Sequence, residues 1–268
     1  MSSIISNAFL PTQCTVSTKL RKLSQSAQAG GYWLITGDIT NESTGKTTGK
    51  STSNTINPCY APSAFYVLNH DLKNTKSSGH LLSVFDYQYP TLQLLSLQPL
   101  AQHLIDSDAV EVLSSTHAKI NPPTDQACLF LGSELGIGPL FYSAKQAKKN
   151  AHPHLALLHS TGAFPFAVKP AHFMLNDFPL EAIGACSLLE DWKIPNRLAS
   201  NAALAGCFEG AFKDLLLPWI KAEHQRQTTA PLNWQVVSFL GEADTHTLAN
   251  LIKPYSWLSL QAIHFPDP

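Results

Sequence analysis

The most restrictive feature of this sequence is a regular alternation of strand and helix signals that begins near residue 127. Apolar runs typical of buried strands occupy 127–131 and 155–158, further strand-like segments lie at 196–199, 234–240 and 257–264, and stretches with helical spacing lie at 140–149, 180–192, 208–221 and 244–252. Strands that are apolar on both faces need helices to cover both sides of their sheet. The pattern therefore predicts an α/β domain built on a parallel sheet.

The N-terminal half follows a different rhythm. Apolar stretches at 32–39, 63–68, 81–85 and 92–97 alternate with segments rich in Ser, Thr, Asn and Gly, as short strands joined by turns would. This predicts an antiparallel β-barrel or small sheet, with Thr40–Asn57 as a long exposed loop. The segment Asn121-Pro122-Pro123-Thr124 separates the halves, so we predict domains at 1–123 and 124–268.

Composition excludes several classes of protein. The chain has 268 residues, of which 44% are hydrophobic and 14% charged, so it can bury a sizeable core. A net charge of −1 without a basic block does not indicate a nucleic-acid partner. The five cysteines form no CxxC pair, which favours free thiols. No long apolar run or secretory signal occurs, so we expect a cytoplasmic protein without a transmembrane segment.

A glycine-rich loop follows the first strand of the α/β half. It reads Gly132-Ser133-Glu134-Leu135-Gly136-Ile137-Gly138-Pro139, and proline suits the first turn of a helix, where an N–H has no partner. The N–H groups of a helix N-terminus bind phosphate, and glycines let the backbone come close to it. The pattern predicts a pyrophosphate site at Gly132, Ser133, Gly136, Ile137, Gly138 and Pro139. A plain strand–turn–helix connection is the alternative.

This loop resembles the G-[TS]-G-x-G-I-[AG]-P loop of the NAD(P)-binding domain in the ferredoxin–NADP reductase-like superfamily. Two later segments, Ile194–Ser200 and Gly206–Leu216, are similar to the matching stretch of dihydroorotate dehydrogenase electron-transfer subunits. The resemblance implies a Rossmann-like domain that binds NAD(P)H, and an N-terminal domain that binds FAD or FMN or derives from one that does. It further implies an oxidoreductase that passes electrons to a partner protein.

The resemblance also implies further cofactor contacts at the ends of two strands. Ser160 and Thr161 close the second strand, where the family contacts the adenosine half of the cofactor. Asn201 and Gly206 follow the third strand, at the edge where ligands bind in open parallel sheets.

Three departures from the family favour a second class of function. Glu134 replaces the middle glycine of the loop, and its charge would oppose a pyrophosphate by about 1 kcal/mol in solvent and by several when desolvated. Ser238-Phe239-Leu240-Gly241 replaces the family's Cys-Gly-Pro-like turn. The N-terminal half has no Arg-x-Tyr-Ser/Thr segment, which contacts the flavin in the family. The alternative is a non-catalytic relative that acts as a partner-binding or regulatory subunit.

Three further patterns are weaker. Thr44–Ser51 is similar to a P-loop but begins with threonine in place of glycine, so we expect a solvated loop. Two histidines spaced by one residue, His152 and His154, can share a metal on a strand, but no third ligand at suitable spacing follows. We therefore expect these two and His159 to be surface or loop histidines, with no metal. Cys186 and Cys207 have no evident base partner, so we expect structural thiols.

Overall fold

The computed structural model describes residues 15–40, 63–68, 80–115, 120 and 126–263. Within these ranges the chain forms a closed six-stranded barrel and a separate six-stranded parallel sheet with helices. Both predicted architectures are confirmed. The predicted junction at residues 123 and 124, most of the predicted loop Thr40–Asn57 and the P-loop-like Thr44–Ser51 lie outside the described residues.

The barrel is antiparallel throughout, in the order β1-β2-β5-β4-β3-β6. Its strands are β1 (Thr15–Ala27), β2 (Trp33–Thr40), β3 (Phe65–Leu68), β4 (His80–Gln88), β5 (Thr91–Ser96) and β6 (Val110–Ser115), and the short helix α1 spans Gln102–Ile105. β1 and β6 were not predicted. Their buried residues, such as Leu20 and Val112, alternate with polar ones and so form no apolar run.

The α/β half has the sheet order β12-β11-β8-β7-β13-β14, with every pair parallel. Its elements are β7 (Ala127–Ser133), α2 (Ile137–Ala147), β8 (His154–Ser160), β9 (Lys169–Pro170), β10 (Gly184–Ala185), α3 (Ser187–Asp191), β11 (Asn196–Ser200), β12 (Phe208–Glu209), α4 (Phe212–Arg226), β13 (Trp234–Phe239), α5 (Glu242–Ile252) and β14 (Leu258–Ala262). No helix among the described residues is long and apolar enough to cross a membrane.

The predicted helix over 180–192 is wrong for its first half. Leu180 and Ile183 are 93% and 60% exposed, so their helical spacing does not build a buried face. Gly184 instead pairs with Pro170 in the small β9–β10 sheet, and its N–H donates to the Gly206 carbonyl at 2.6 Å. Helix α3 therefore begins only at Ser187.

One hydrophobic core runs through both halves of the molecule. It contains barrel residues such as Val84 together with Phe141 of α2. The ring of Phe85 in β4 meets that of Phe141 edge-on, with centroids 5.4 Å apart. The Lys145 ammonium donates to the Asp86 carboxylate at 2.5 Å. Helix α2, which follows the glycine loop, therefore packs directly against the barrel.

Candidate functional site

The glycine loop lies at the carboxyl end of β7, a central strand flanked by β8 and β13. A single 3-10 turn covers Glu134–Gly136, and α2 begins at Ile137, so Pro139 falls in its first turn. The Ser133 side chain makes no capping hydrogen bond to the 3-10 turn, and α2 has a glycine, Gly136, at its N-cap position and so has no side-chain cap. The positive end of the helix dipole thus lies at the edge where parallel sheets bind their ligands.

The space beside the loop glycines is filled by protein. A Cβ on Gly132 would lie 2.8 Å from the carbonyl oxygen of Gly136, and one on Gly138 would lie 2.6 Å from that of Val84 in β4. A Cβ on Gly136 would overlap the Phe239 carbonyl oxygen. These three glycines therefore let the loop fold on itself and pack against β13 and the barrel.

Glu134 occupies the position where the family loop has its middle glycine, and it keeps a glycine-like backbone. Its φ is 51°, in the left-handed region, which costs an L-residue roughly 1–2 kcal/mol. Its Oε1 accepts the Thr161 backbone N–H at 2.5 Å, and its Oε2 accepts the Tyr32 hydroxyl at 3.0 Å. The side chain therefore connects the loop to the end of β8 and to the barrel.

The Tyr32 hydroxyl is held as a donor to this carboxylate. Its side chain is buried, and the residue lies immediately before β2. Burial raises the pKa of Tyr32 far above its usual 10, and the negative charge of Glu134 raises the pKa further. The hydroxyl therefore stays protonated at physiological pH, which favours the bond to Glu134.

The residues predicted to contact the adenosine half of the cofactor lie close together, but they differ in whether their side chains are accessible to a ligand. The Ser160 hydroxyl is buried and donates to the Ala163 carbonyl at 3.0 Å while it accepts the Gly162 N–H, so it closes a turn. Thr161 is exposed. Asn201 lies beside them, because its N–H donates to the Ser160 carbonyl at 3.2 Å.

Gly206 lies apart from this group. It has a φ of 80° and contacts Gly184 of β10, which explains why the position requires glycine. The structure thus gives Gly206 a packing role, and a contact of Gly206 with a cofactor remains a prediction.

The expectation of surface or loop histidines is wrong for two of the three. His154 and His159 are each only 8% exposed, because β8 is a central strand with every residue buried. Burial lowers the pKa of His154, whose Nε2 lies 3.0 Å from the Ala147 carbonyl oxygen. Among the described residues no group of three or more His, Cys, Asp or Glu could hold a metal.

No protein-family model matches this sequence, and no curated protein matches it significantly. Solved structures match its fold. A cytochrome P450 reductase from Amycolatopsis aligns over 94% of this chain and 71% of its own, at 10% identity and a TM-score of 0.56. A ferredoxin–NADP+ reductase from Plasmodium falciparum, solved with 2'P-AMP, aligns over 95% and 98%, at 9% identity and 0.54. A siderophore-interacting protein from Acinetobacter baumannii aligns over 91% and 86%, at 10% and 0.51.

The chain has the ferredoxin–NADP reductase fold. The resemblance predicted from the glycine loop is thus confirmed for the fold. Identity this low shows the fold and leaves the activity to be argued from the site. The finer likeness to dihydroorotate dehydrogenase subunits remains a prediction.

Two residues at the junction of the glycine loop and the barrel were not predicted from the sequence. Tyr32 carries no local motif, and only the fold brings it to the loop. Ser83 in β4 is fully buried, its hydroxyl has no partner within the described part of the chain, and it lies where the barrel meets Gly138. The only signal for Ser83 was a lone serine inside the apolar stretch 81–85.

The three cysteines in the described part of the chain are poor nucleophiles. Cys128, Cys186 and Cys207 are free and buried. Burial raises the pKa of Cys128 to about 12 and that of Cys186 and Cys207 to about 11. All three are therefore protonated thiols at neutral pH, as expected for structural cysteines.

Proposed function

We propose that this chain is an electron-transfer oxidoreductase that takes reducing equivalents from NAD(P)H and passes them through a flavin, FAD or FMN, to a partner protein. On this proposal residues 1–123 form the flavin-binding domain and residues 124–268 the NAD(P)-binding domain, and the protein works in the cytoplasm. The observation that carries the proposal is the direct contact of the dinucleotide-type loop with the barrel.

That contact has two parts. Glu134 reaches Tyr32, and Gly138 packs on β4 beside Ser83. A dinucleotide bound along the loop would therefore extend toward the barrel surface, as hydride transfer between two cofactors requires. When bound, a flavin supplies the chemistry that converts a hydride into single electrons.

The residues at this edge fit a nucleotide in part. The N-terminus of α2 has no side-chain cap, and Ser133, Thr161 and Asn201 bring hydroxyl and amide groups to the same edge. Gly132, Gly136, Ile137, Gly138 and Pro139 would shape the loop around the pyrophosphate, with Ser160 holding the turn and Gly206 the neighbouring loop.

A second candidate function is favoured by Glu134 and by the end of β13. The carboxylate already accepts two donors, one from the barrel and one from the end of β8, as a bound anion would. Phe239 and Leu240, which stand at the family's Cys-Gly-Pro-like turn, are fully buried. Both observations suit a relative that binds no dinucleotide and serves as a partner-binding or regulatory subunit.

Spectroscopy and turnover of the purified full chain separate these functions. The reductase should show flavin absorbance as purified or after incubation with FAD or FMN, and should reduce ferricyanide with NADH or NADPH. Ser133→Ala in the glycine loop should fold normally and lower this activity, whereas Ser259→Ala on β14 should keep it. A colourless protein that takes up no flavin and oxidises neither nucleotide would refute the reductase function and support the non-catalytic one.

A further inference from the structure

The Glu134 carboxylate lies at the carboxyl end of the second strand of the α/β half, where it accepts the Thr161 N–H at 2.5 Å. In dinucleotide-binding sheets an acidic side chain bonds the ribose 2'-hydroxyl of NAD, whereas an arginine accommodates the 2'-phosphate of NADP. We propose that Glu134 makes this site select NADH over NADPH. The inference rests on the proposed reductase function.

The carboxylate can accept a ribose hydroxyl without giving up its present partners. A carboxylate has about four lone-pair positions on its two oxygens. Thr161 uses one on Oε1 and Tyr32 uses one on Oε2. Glu134 is half-buried and Thr161 is exposed, so the group is reachable from solvent. The two bonds also fix the carboxylate in place before a ligand arrives.

The charges at this edge of the sheet also favour NADH over NADPH. A phosphate monoester brings close to two negative charges and calls for Arg or Lys. The segments that follow β7, β8 and β11 contain no Lys or Arg over residues 133–144, 159–168 and 201–212. The first base after the loop, Lys145, is paired with Asp86.

The histidine at this edge has a partner within the protein. His159 is buried, and its Nε2 lies 3.4 Å from the Asn201 Oδ1. A 2'-phosphate at the end of β8 would thus meet the Glu134 carboxylate and no Lys or Arg of these segments.

Calorimetric titration of the full chain with NADH and with NADPH tests the inference. We expect wild-type protein to bind NADH at least about ten-fold more tightly than NADPH, which corresponds to roughly 1.4 kcal/mol. Glu134→Gln keeps the side-chain size and removes the charge, and should lower this ratio several-fold, mainly by improving NADPH binding. Glu209→Gln, the same change at an exposed glutamate of β12, should leave the ratio unchanged.

A variant that should gain affinity for NADPH distinguishes a change in selectivity from a loss of the fold. Thr161→Arg changes an exposed side chain and should improve NADPH binding about ten-fold while NADH binding stays within a few-fold. If nucleotides bind but wild-type protein accepts NADPH as well as NADH, or Glu134→Gln leaves the ratio unchanged, the selectivity is refuted and the reductase function stands. If neither nucleotide binds to any variant with a native thermal midpoint, both proposals fail.

Discussion

At the residue scale, the contact between Tyr32 and Glu134 is the most consequential one in the site. Glu134 carries a left-handed backbone, and its two hydrogen bonds offset that strain, because bonds to a charged group contribute about 1.5–3 kcal/mol each. Tyr32→Phe removes one donor and keeps the buried ring. We predict that it lowers the free energy of unfolding by about 1–2 kcal/mol in urea titrations. An unchanged value would show that solvent replaces the bond at no cost.

The same residue predicts a pH dependence. The pKa of Tyr32 is raised in the folded state, first by burial and then by Glu134. Its contribution to stability is therefore complete below about pH 10, the pKa in the unfolded chain, and is lost as the pH rises further. The stability gap between wild type and Tyr32→Phe should shrink by up to about 1.4 kcal/mol per pH unit above that point. If this difference in stability stays constant up to about pH 11, the Tyr32 hydroxyl does not have a raised pKa in the folded protein.

At the element scale, the packing of α2 on β4 sets where the loop lies. A Cβ on Gly138 would lie 2.6 Å from the Val84 carbonyl oxygen and 2.7 Å from the Ser83 hydroxyl. We predict that Gly138→Ala lowers the unfolding free energy by about 1–3 kcal/mol, although alanine favours helix more than glycine does. Gly162→Ala is the control, since nothing lies within 4 Å of its Cβ position. Equal stabilities for the two variants would mean that α2 shifts freely on the barrel.

At the scale of the whole molecule, the shared core predicts cooperative unfolding. Barrel residues such as Leu94 and sheet residues such as Phe130 belong to one buried cluster. Leu94→Ala in the barrel should cost about 2–5 kcal/mol. We expect hydrogen exchange, measured by mass spectrometry at increasing denaturant, to show the same decrease in unfolding midpoint for peptides from β4 and from β7. If only barrel peptides lose protection early, the two halves unfold independently.

The sequence by itself determined the elements whose signals are local. The parallel sheet was predictable because β7 and β8 are apolar runs and strand-like segments alternate with helical spacing, and Pro139 indicated the start of α2 to within one turn of Ile137. The helix predicted at 208–221 begins later, at Phe212, because Phe208 and Glu209 pair with β11 as β12. The first residue of a helix therefore depends on which neighbouring residues pair with a strand as well as on the spacing of apolar residues.

Only the tertiary structure decided what the glycine loop contacts. Tyr32 and Glu134 are 102 residues apart, and Thr161 and Glu134 are 27 apart. No periodicity links positions at such separations, so the sequence left the direction of the Glu134 carboxylate open. The same limit explains His154 and His159, which polar character placed at the surface and β8 buries. Local spacing encodes strands and helices, whereas charge, burial and hydrogen-bond partners at the site follow from how distant segments pack.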